Sequence, residues 1–509
     1  MTTTENPRRL APMMTAARGI ATDATMEISP AALEALVLRL PSSGDPVDDL
    51  VARVRPRAGE AVDSLQIAAL LEADGVNDRA ARVEYGYTDV FDLADEVYRR
   101  LGGNVPRLRP IVEHDRDPGR AWREVSHGLL YLLPSALFPA VVAVVLPRPL
   151  VVALVVAGAL GWVWAGGSTW LAYQWLNVHD ARGAGRVLAW ASAAGLLVAG
   201  AAGVGVAFAT GGGYTAAVLV PGVMAYQLAS TLLLFYRREL WLAGLMAPAA
   251  GAGVAYVVVG RPMLLWALVA VSACVLAALG FGLHEAWRAG AGRPRPANGG
   301  LRARLRGRGG MFLLVLGYTA LSAAFLLHAQ APYLLTHLDV VLACAPLIVA
   351  MGVVEWRARH FVERSRRLLG EVRYPKEFVR RVWLLLAANV AVCWLAVAVA
   401  AAAVLGALRY AGWLGPAGIA MAAAQVALAG AYFLGFILAG HQRYGWLCAA
   451  LGAAILLHLA TARLVTATTG SPKTGAFVDM ALYFGSAVLL QALLVVALIP
   501  VLGQVRRYR

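Results

Sequence analysis

Long apolar runs, broken by short connections rich in arginine, glycine and proline, fill residues 126–509. A helix needs about 20 apolar residues to cross the hydrocarbon core of a bilayer, and by that measure the region divides into twelve spans. The expected limits are 128–146, 151–174, 188–209, 216–235, 241–259 and 263–283, then 311–329, 338–354, 383–405, 417–439, 446–466 and 479–501. Spans 311–329 and 338–354 only just reach the required length. The basic stretch RAGAGRPRPANGGLRARLRGRGG, residues 288–310, parts the first six spans from the second six. The pattern predicts an all-α polytopic membrane protein of about 12 transmembrane helices in two six-helix lobes, 126–287 and 311–509.

The pattern changes ahead of residue 126. Residues 1–27 are Thr-rich, Arg-dotted and aperiodic, which predicts disorder. Residues 28–103 carry helical signals and predict a small helical domain. Ser29-Pro30 opens ALEALVLRL as a cap and first-turn proline. Further helices are expected through VDSLQIAALLEAD, ending at Gly75, and NDRAARVEY, ending at Gly86. A fourth starts from a cap at Thr88 and runs through DVFDLADEVYRRL. In that last helix Val90, Phe91, Leu93, Ala94, Val97 and Leu101 form one apolar stripe. Asp89, Asp92, Asp95 and Glu96 read as a solvated face. Residues 104–125 are a Pro- and charge-rich linker.

Composition sharpens this division. The chain is 60% hydrophobic and 15% charged, more apolar surface than a soluble protein of 509 residues can hide. Formal charge is −5 over residues 1–125 and +20 over the remainder. The positive charge lies between apolar runs, which points to a membrane surface and away from nucleic acid. With the N-terminus placed in the cytoplasm, 24 basic residues fall in cytoplasmic connections and four (Arg148, Arg261, Arg409 and Lys473) in outer ones. That bias predicts a multi-pass protein of the cytoplasmic membrane with both termini inside. The basic loops are then partners for anionic lipid headgroups. Trp122, Trp175, Trp241, Trp287, Trp356, Trp383 and Trp446 sit near those loops, where an interfacial aromatic belt is expected. Residues 1–30 lack an apolar run of signal-peptide length, so insertion is expected to start from the span near residue 128.

The chemistry available is narrow. Cys274, Cys344, Cys393 and Cys448 lie in apolar runs without paired or metal-ligand spacing, and they read as small buried hydrophobes. The sequence shows no phosphate-binding loop, no nucleophile motif and no cofactor signature. The outer connections are too short to fold a catalytic platform, so no enzymatic activity, catalytic residue, cofactor or metal is expected. Ionisable residues inside spans are costly and often functional. His458, Arg463 and Asp479 lie on the last two spans, and His328 lies at the outer end of span seven. Arg463 and Asp479 are expected to pair across the hairpin, either as a structural ion pair or as a substrate or ion contact. Tyr226, Gln227, Asn389 and Gln425 are further candidates for a polar path, with helix packing as the alternative. Pro134 and Pro139 interrupt the first span, which predicts a bend or hinge.

FILAGHQRYGWLCAALGAAILLHLATARLV resembles the tenth-to-eleventh helix connection of polysaccharide flippases in the multidrug/oligosaccharidyl-lipid/polysaccharide (MOP) exporter superfamily. EWRARHFVERSRRLLGEVRYPKEFVRRVWLLLAANV resembles the matching segment of the PelG-like exopolysaccharide exporters. The resemblance covers about a third of the chain, and it implies export or flipping of a glycan or glycan-lipid through a cavity between the lobes. Arg463 is the one embedded basic residue, which favours a neutral or weakly charged glycan over a pyrophosphate-linked one. NVHDARGAGRV is similar to the Asp-Arg-x-Gly-Arg loop of the major facilitator superfamily, but Asp180, Arg182, Gly183 and Arg186 have altered spacing and no second copy follows span eight. Two alternatives stand beside the exporter reading. One is a major-facilitator-type small-molecule transporter. The other is a scaffold acting through its N-terminal domain, which is expected to dock a cytoplasmic synthase or regulator.

Overall fold

A computed structural model of the chain describes residues 45–58, 61, 63–102, 128, 130, 138–145, 147–177, 180–289, 306–372, 375–470 and 475–502. The chain divides into two units, Met1–Asp115 and Arg116–Arg509, and the division falls inside the sequence-predicted linker.

The first unit is a bundle of four short helices: α1 Pro46–Val54, α2 Ser64–Ala73, α3 Asp78–Glu84 and α4 Val90–Arg100. Each begins at an Asp or Asn whose side chain accepts backbone N–H bonds from the first turn: Asp45, Asp63, Asn77 and Asp89. The cap of α4 is therefore Asp89, one residue beyond the expected Thr88, because its carboxylate reaches the N–H groups of Phe91 and Asp92. The expected helix at ALEALVLRL lies outside the described residues. Helix α1 has no counterpart in the sequence reading, although Asp45-Pro46 carries the same cap-and-proline signal. Val47, Leu50, Val51, Ile67, Leu71, Leu93 and Val97 form the core. Phe91, expected in the buried stripe, is 52% exposed, since one residue from Val90 is a turn of about 100° around the helix.

Arg100 ties the end of α4 to the start of α1, meeting Asp45 at 2.6 Å, Asp48 at 2.7 Å and Glu96 at 2.7 Å. Hydrogen bonding from Arg99, followed by Arg100, holds the Glu96 carboxyl below its ordinary range. The expected acidic face is thus partly consumed: Asp89 caps and Glu96 pairs.

In the second unit eleven helices among the described residues are long and apolar enough to cross a membrane. In lobe one these are α6 Pro147–Leu176, α7 Ala181–Thr210, α8 Gly213–Phe235, α9 Glu239–Val259 and α10 Leu264–Ala289, preceded by the short α5 Phe138–Val142. Lobe two holds α11 Gly309–Gln330, the short α12 Leu338–Leu342, α13 Ala345–Glu371, α14 Pro375–Tyr410, α15 Pro416–Gly440, α16 Tyr444–Thr469 and α17 Ala476–Leu502. The middle of the expected first span, residues 131–137 with Pro134, lies outside the described residues. Pro139 sits exposed in α5. Pro346 does not bend a span; it opens α13 after a break at Ala343–Cys344. That break is clamped from outside, because Asp339 Oδ2 accepts the Gly418 N–H at 2.9 Å and the Gly415 N–H at 3.2 Å, at the start of α15.

Both lobes have their own apolar core, one within residues 130–286 and the other within 325–502. They also share one packing scheme. In lobe one α8 is the hub: it packs on α6, α7, α9 and α10, while α5 packs on α9 and α10. In lobe two α15 is the hub: it packs on α13, α14, α16 and α17, while α11 packs on α16 and α17. Pairs α6–α7, α7–α10 and α9–α10 also have counterparts in α13–α14, α14–α17 and α16–α17. The two lobes therefore share one pattern of helix neighbours, in which α5 to α10 correspond in order to α11 and α13 to α17.

The lobes touch along two seams that this correspondence relates. On one, α6 lies against α11: Gly158 meets Leu327, Gly166 meets Thr319 and Gly167 meets Leu316. The Trp170 and Phe312 rings are 5.6 Å apart, and Arg308 Nη1 donates to Gln174 Oε1 at 2.6 Å. On the other, Gly128 of span one lies so close to α13 that a methyl group there would collide with the Val349 carbonyl. Small residues permit such approaches between helices in lipid, where dispersion contacts drive association. A wet gap between the lobes was expected; along both described seams the lobes are in direct contact.

Helices α13 and α14 have 27 and 36 residues, or about 40 and 54 Å at 1.5 Å per residue. Both exceed the bilayer's hydrocarbon thickness of about 30 Å, so the basic residues of 357–371 and 375–381 lie on continuations of the two helices. Charge ends the apolar run there but not the backbone ladder.

Candidate functional site

Three ionisable residues of lobe two gather at one place, near the helix ends opposite the arginine-rich connections, apart from the buried Asp339 that clamps α15. Three elements supply them. His328 comes from the last turns of α11, His458 from α16, and Asp479 from the first turn of α17. His458 faces inward because it continues the buried stripe Leu447, Ala450, Leu451 and Ala454 at helical spacing. Asp479 sits where the α17 helix dipole favours a carboxylate.

The groups form a chain of close polar contacts. His328 Nδ1 lies 2.9 Å from the Ala324 carbonyl oxygen, and its Nε2 lies 2.7 Å from His458 Nδ1. His458 Nε2 then lies 3.2 Å from Asp479 Oδ1. The Tyr333 hydroxyl donates to Asp479 Oδ2 at 2.9 Å. Tyr483, fully buried, lays its ring against His328 and His458, and Phe325 packs on Tyr483 and His328. Apolar and aromatic walls therefore surround the array, and such walls strengthen each polar contact within it.

Arg463 takes no part. It is exposed on α16, and five residues from His458 is about 140° around the helix. Asp479 pairs with His458 in its place, so the expected Arg463–Asp479 pair is corrected to His458–Asp479. Sequence analysis named His458, Asp479 and His328 but did not join them, and it missed Tyr333 and Tyr483 as members.

The other candidates lie apart. Tyr226 donates to the Leu130 carbonyl at 2.7 Å and so pins span one to α8. Gln227 packs against Gly161, with its amide 3.5 Å from the Ala157 carbonyl. Asn389 donates to Leu385 one turn back. Gln425, buried, reaches the sulfurs of Met421 and Cys344. These four contacts are helix-to-helix or intrahelical. Asp180 of the facilitator-like loop caps α7 through the Gly183 N–H, which gives it a local structural role. Trp175, expected in the aromatic belt, is buried against Gly183, whereas Trp241, Trp287 and Trp446 are exposed.

A small cavity of about 20 Å³, room for about one water, lies beside Phe325, lined also by Tyr318, Ser322, Leu428, Tyr432 and Leu451. It sits inside lobe two, not between the lobes. Among the described residues no group of His, Cys, Asp and Glu is arranged to hold a metal ion.

No family model, curated protein or solved structure matches this chain. Its function is therefore read from the residues themselves.

Proposed function

We propose that this protein is an ion-coupled membrane transporter, with no enzymatic activity of its own, that exports or flips a glycan or glycan-lipid across the cytoplasmic membrane. The observation that carries the transport reading is the array His328–His458–Asp479 held inside a repeated helical bundle, since buried ionisable groups in spans are expensive and mark ion or substrate paths. Repeated bundles working against each other are the common plan of secondary transporters. In this reading the lobes are in a closed arrangement, and the small cavity at Tyr318, Ser322 and Tyr432 would have to widen to admit cargo. Hydroxyl groups on an aromatic wall suit a neutral glycan, and the resemblance of segments 355–390 and 436–465 to MOP exporters supports the same cargo. The basic connections face anionic lipid on the cytoplasmic side, and residues 28–102 dock a cytoplasmic synthase or regulator.

The test is a cell lacking this chain. Glycan or its lipid-linked precursor is expected to accumulate at the cytoplasmic face while the surface glycan falls, with rescue by the full chain and by a chain lacking residues 1–104. Unchanged glycan with altered small-molecule efflux favours a facilitator-type transporter. Loss of all rescue on removing residues 1–104, with the membrane part still abundant, favours a scaffold.

A further inference from the structure

We propose that His328, His458 and Asp479 together form a binding site for one proton, held beyond those of two neutral imidazoles. The argument is a count of hydrogens. Three contacts run in series: Ala324 carbonyl to His328 Nδ1, His328 Nε2 to His458 Nδ1, and His458 Nε2 to Asp479, whose carbonyl oxygen lies at 3.3 Å and whose Oδ1 lies at 3.2 Å, acceptors both. Each contact needs one hydrogen between its two heavy atoms. A neutral imidazole carries one N–H and one bare nitrogen, so two neutral rings supply two hydrogens for three contacts. Whichever tautomers are chosen, one contact is left with two lone pairs facing each other.

A third hydrogen completes the series. It makes one ring an imidazolium, or else sits on the Asp479 carboxyl, and in either case the three residues become neutral overall. Without it they carry one net negative charge and a repulsive contact. The two states therefore differ by one proton shared across the array, so the residues titrate as a unit. The groups facing this unit are His328 and Tyr333 from α11 and the turn after it, and Asp479 and Tyr483 from α17. Tyr432 of α15 and Cys344 lie near Tyr483. Tyr333 already spends its hydrogen on Asp479 Oδ2 and does not supply the missing one. Among the described residues no lysine or arginine is ion-paired with Asp479. Asp479 is partly exposed, which opens the array at the end away from the basic connections, while Phe325 links it to the small cavity. As the driving ion of a transporter the proton rests on the reading above; as a site it rests on the contacts alone.

The test uses the full chain in lipid nanodiscs with ring-¹⁵N histidine, titrated from about pH 9 to about pH 5, the range in which imidazoles exchange protons. H328Q and H458Q assign the signals among the nine histidines. In the unaltered protein both rings are expected to change at one common midpoint, as the extra proton enters. D479N removes the carboxylate charge that favours the extra proton and offers an amide N–H to His458 Nε2 in competition with the residue-479 carbonyl. H328Q removes the need for that proton from the other side, because its amide donates to His458 Nδ1 and frees Nε2–H for Asp479. At the wild-type midpoint, the total imidazolium of the array is expected to fall at least about fivefold in each variant, a displacement of about one pH unit or more. Y333F retains the carboxylate and is expected to keep the common midpoint. Separate midpoints for the two rings, or unchanged imidazolium in both D479N and H328Q, would overturn the proposal. The readout involves no cargo, so a normal titration beside absent glycan movement counts against the transporter reading and leaves the site standing.

Discussion

Lobe one and lobe two are built on the same helix-packing scheme yet differ in what they bury. The hub of lobe one, α8, is lined with side chains that satisfy themselves locally: Ser230 and Thr231 donate back one turn, and Tyr226 reaches one carbonyl. The buried charges of lobe one lie at helix ends beside the basic connections, as in Arg238–Glu285 at 3.1 Å, where the arginine is 45% exposed. Lobe two buries its charge among aromatic rings, at His458–Asp479, with 4% and 15% side-chain exposure. The same pattern of helix neighbours thus accommodates a buried ionisable array in one lobe without requiring it in the other.

The largest effect that sharpens this contrast is expected from removing charge in each lobe. Asp479→Leu leaves His458 and Tyr333 without their shared acceptor and should cost about 3 kcal/mol or more, read as thermal unfolding of the full chain in detergent. Glu285→Gln keeps a hydrogen-bonding amide against Arg238, whose guanidinium is 45% exposed, and should cost less, about 1–2 kcal/mol. Equal costs would break the contrast. Next come the seams. Gly128→Ala places a methyl against the Val349 backbone, which has no rotamer by which to yield, and is expected to cost about 1–3 kcal/mol. Gly222→Ala in α8 meets open space and should be neutral or stabilising by up to about 1 kcal/mol. A neutral Gly128→Ala would show that the lobes do not rest on each other there.

Smaller still is Tyr226→Phe, which removes the hydroxyl bond that pins span one and should cost about 1 kcal/mol. The smallest effect belongs to the N-terminal unit. Glu96 has its carboxyl depressed in the folded state, so its contribution is complete above the ordinary glutamate value and disappears as pH falls through the lower folded value. Faster hydrogen exchange across Val90–Arg100 in the full chain is expected on acidification below about pH 4, and E96Q should exchange at the faster rate already at neutral pH. The effect is no more than about 1 kcal/mol, as for other solvent-facing ion pairs.

Much of the fold was legible because a span announces itself by composition alone. Helices α6–α10 and α13–α17 all run past their expected apolar limits, since hydropathy falls where charge begins while the backbone ladder continues. The site was legible only as a set of names. Asp479 stood out as a carboxylate in an apolar run, but its partner was taken to be Arg463, the nearest full positive charge. Helix phase was the missing signal: His458 shares a stripe with Leu447, Ala450, Leu451 and Ala454, and Arg463 does not. Tyr333 was hidden because it follows α11 in a 3₁₀ turn, where neither helical nor extended periodicity applies. Pairings between helices distant in sequence, such as α11 with α16, leave no periodic trace at all.

The overlong hairpin of α13 and α14 carries a mechanical consequence. Phe361, Leu368, Phe378 and Val382 belong to the same continuous apolar core as Leu428 and Phe433 deep in α15. The protruding shafts are therefore not spliced onto the membrane bundle by a pliable joint. They act as a stiff crank, and torque applied by anything that grips their arginine-studded surface is delivered to the middle of lobe two.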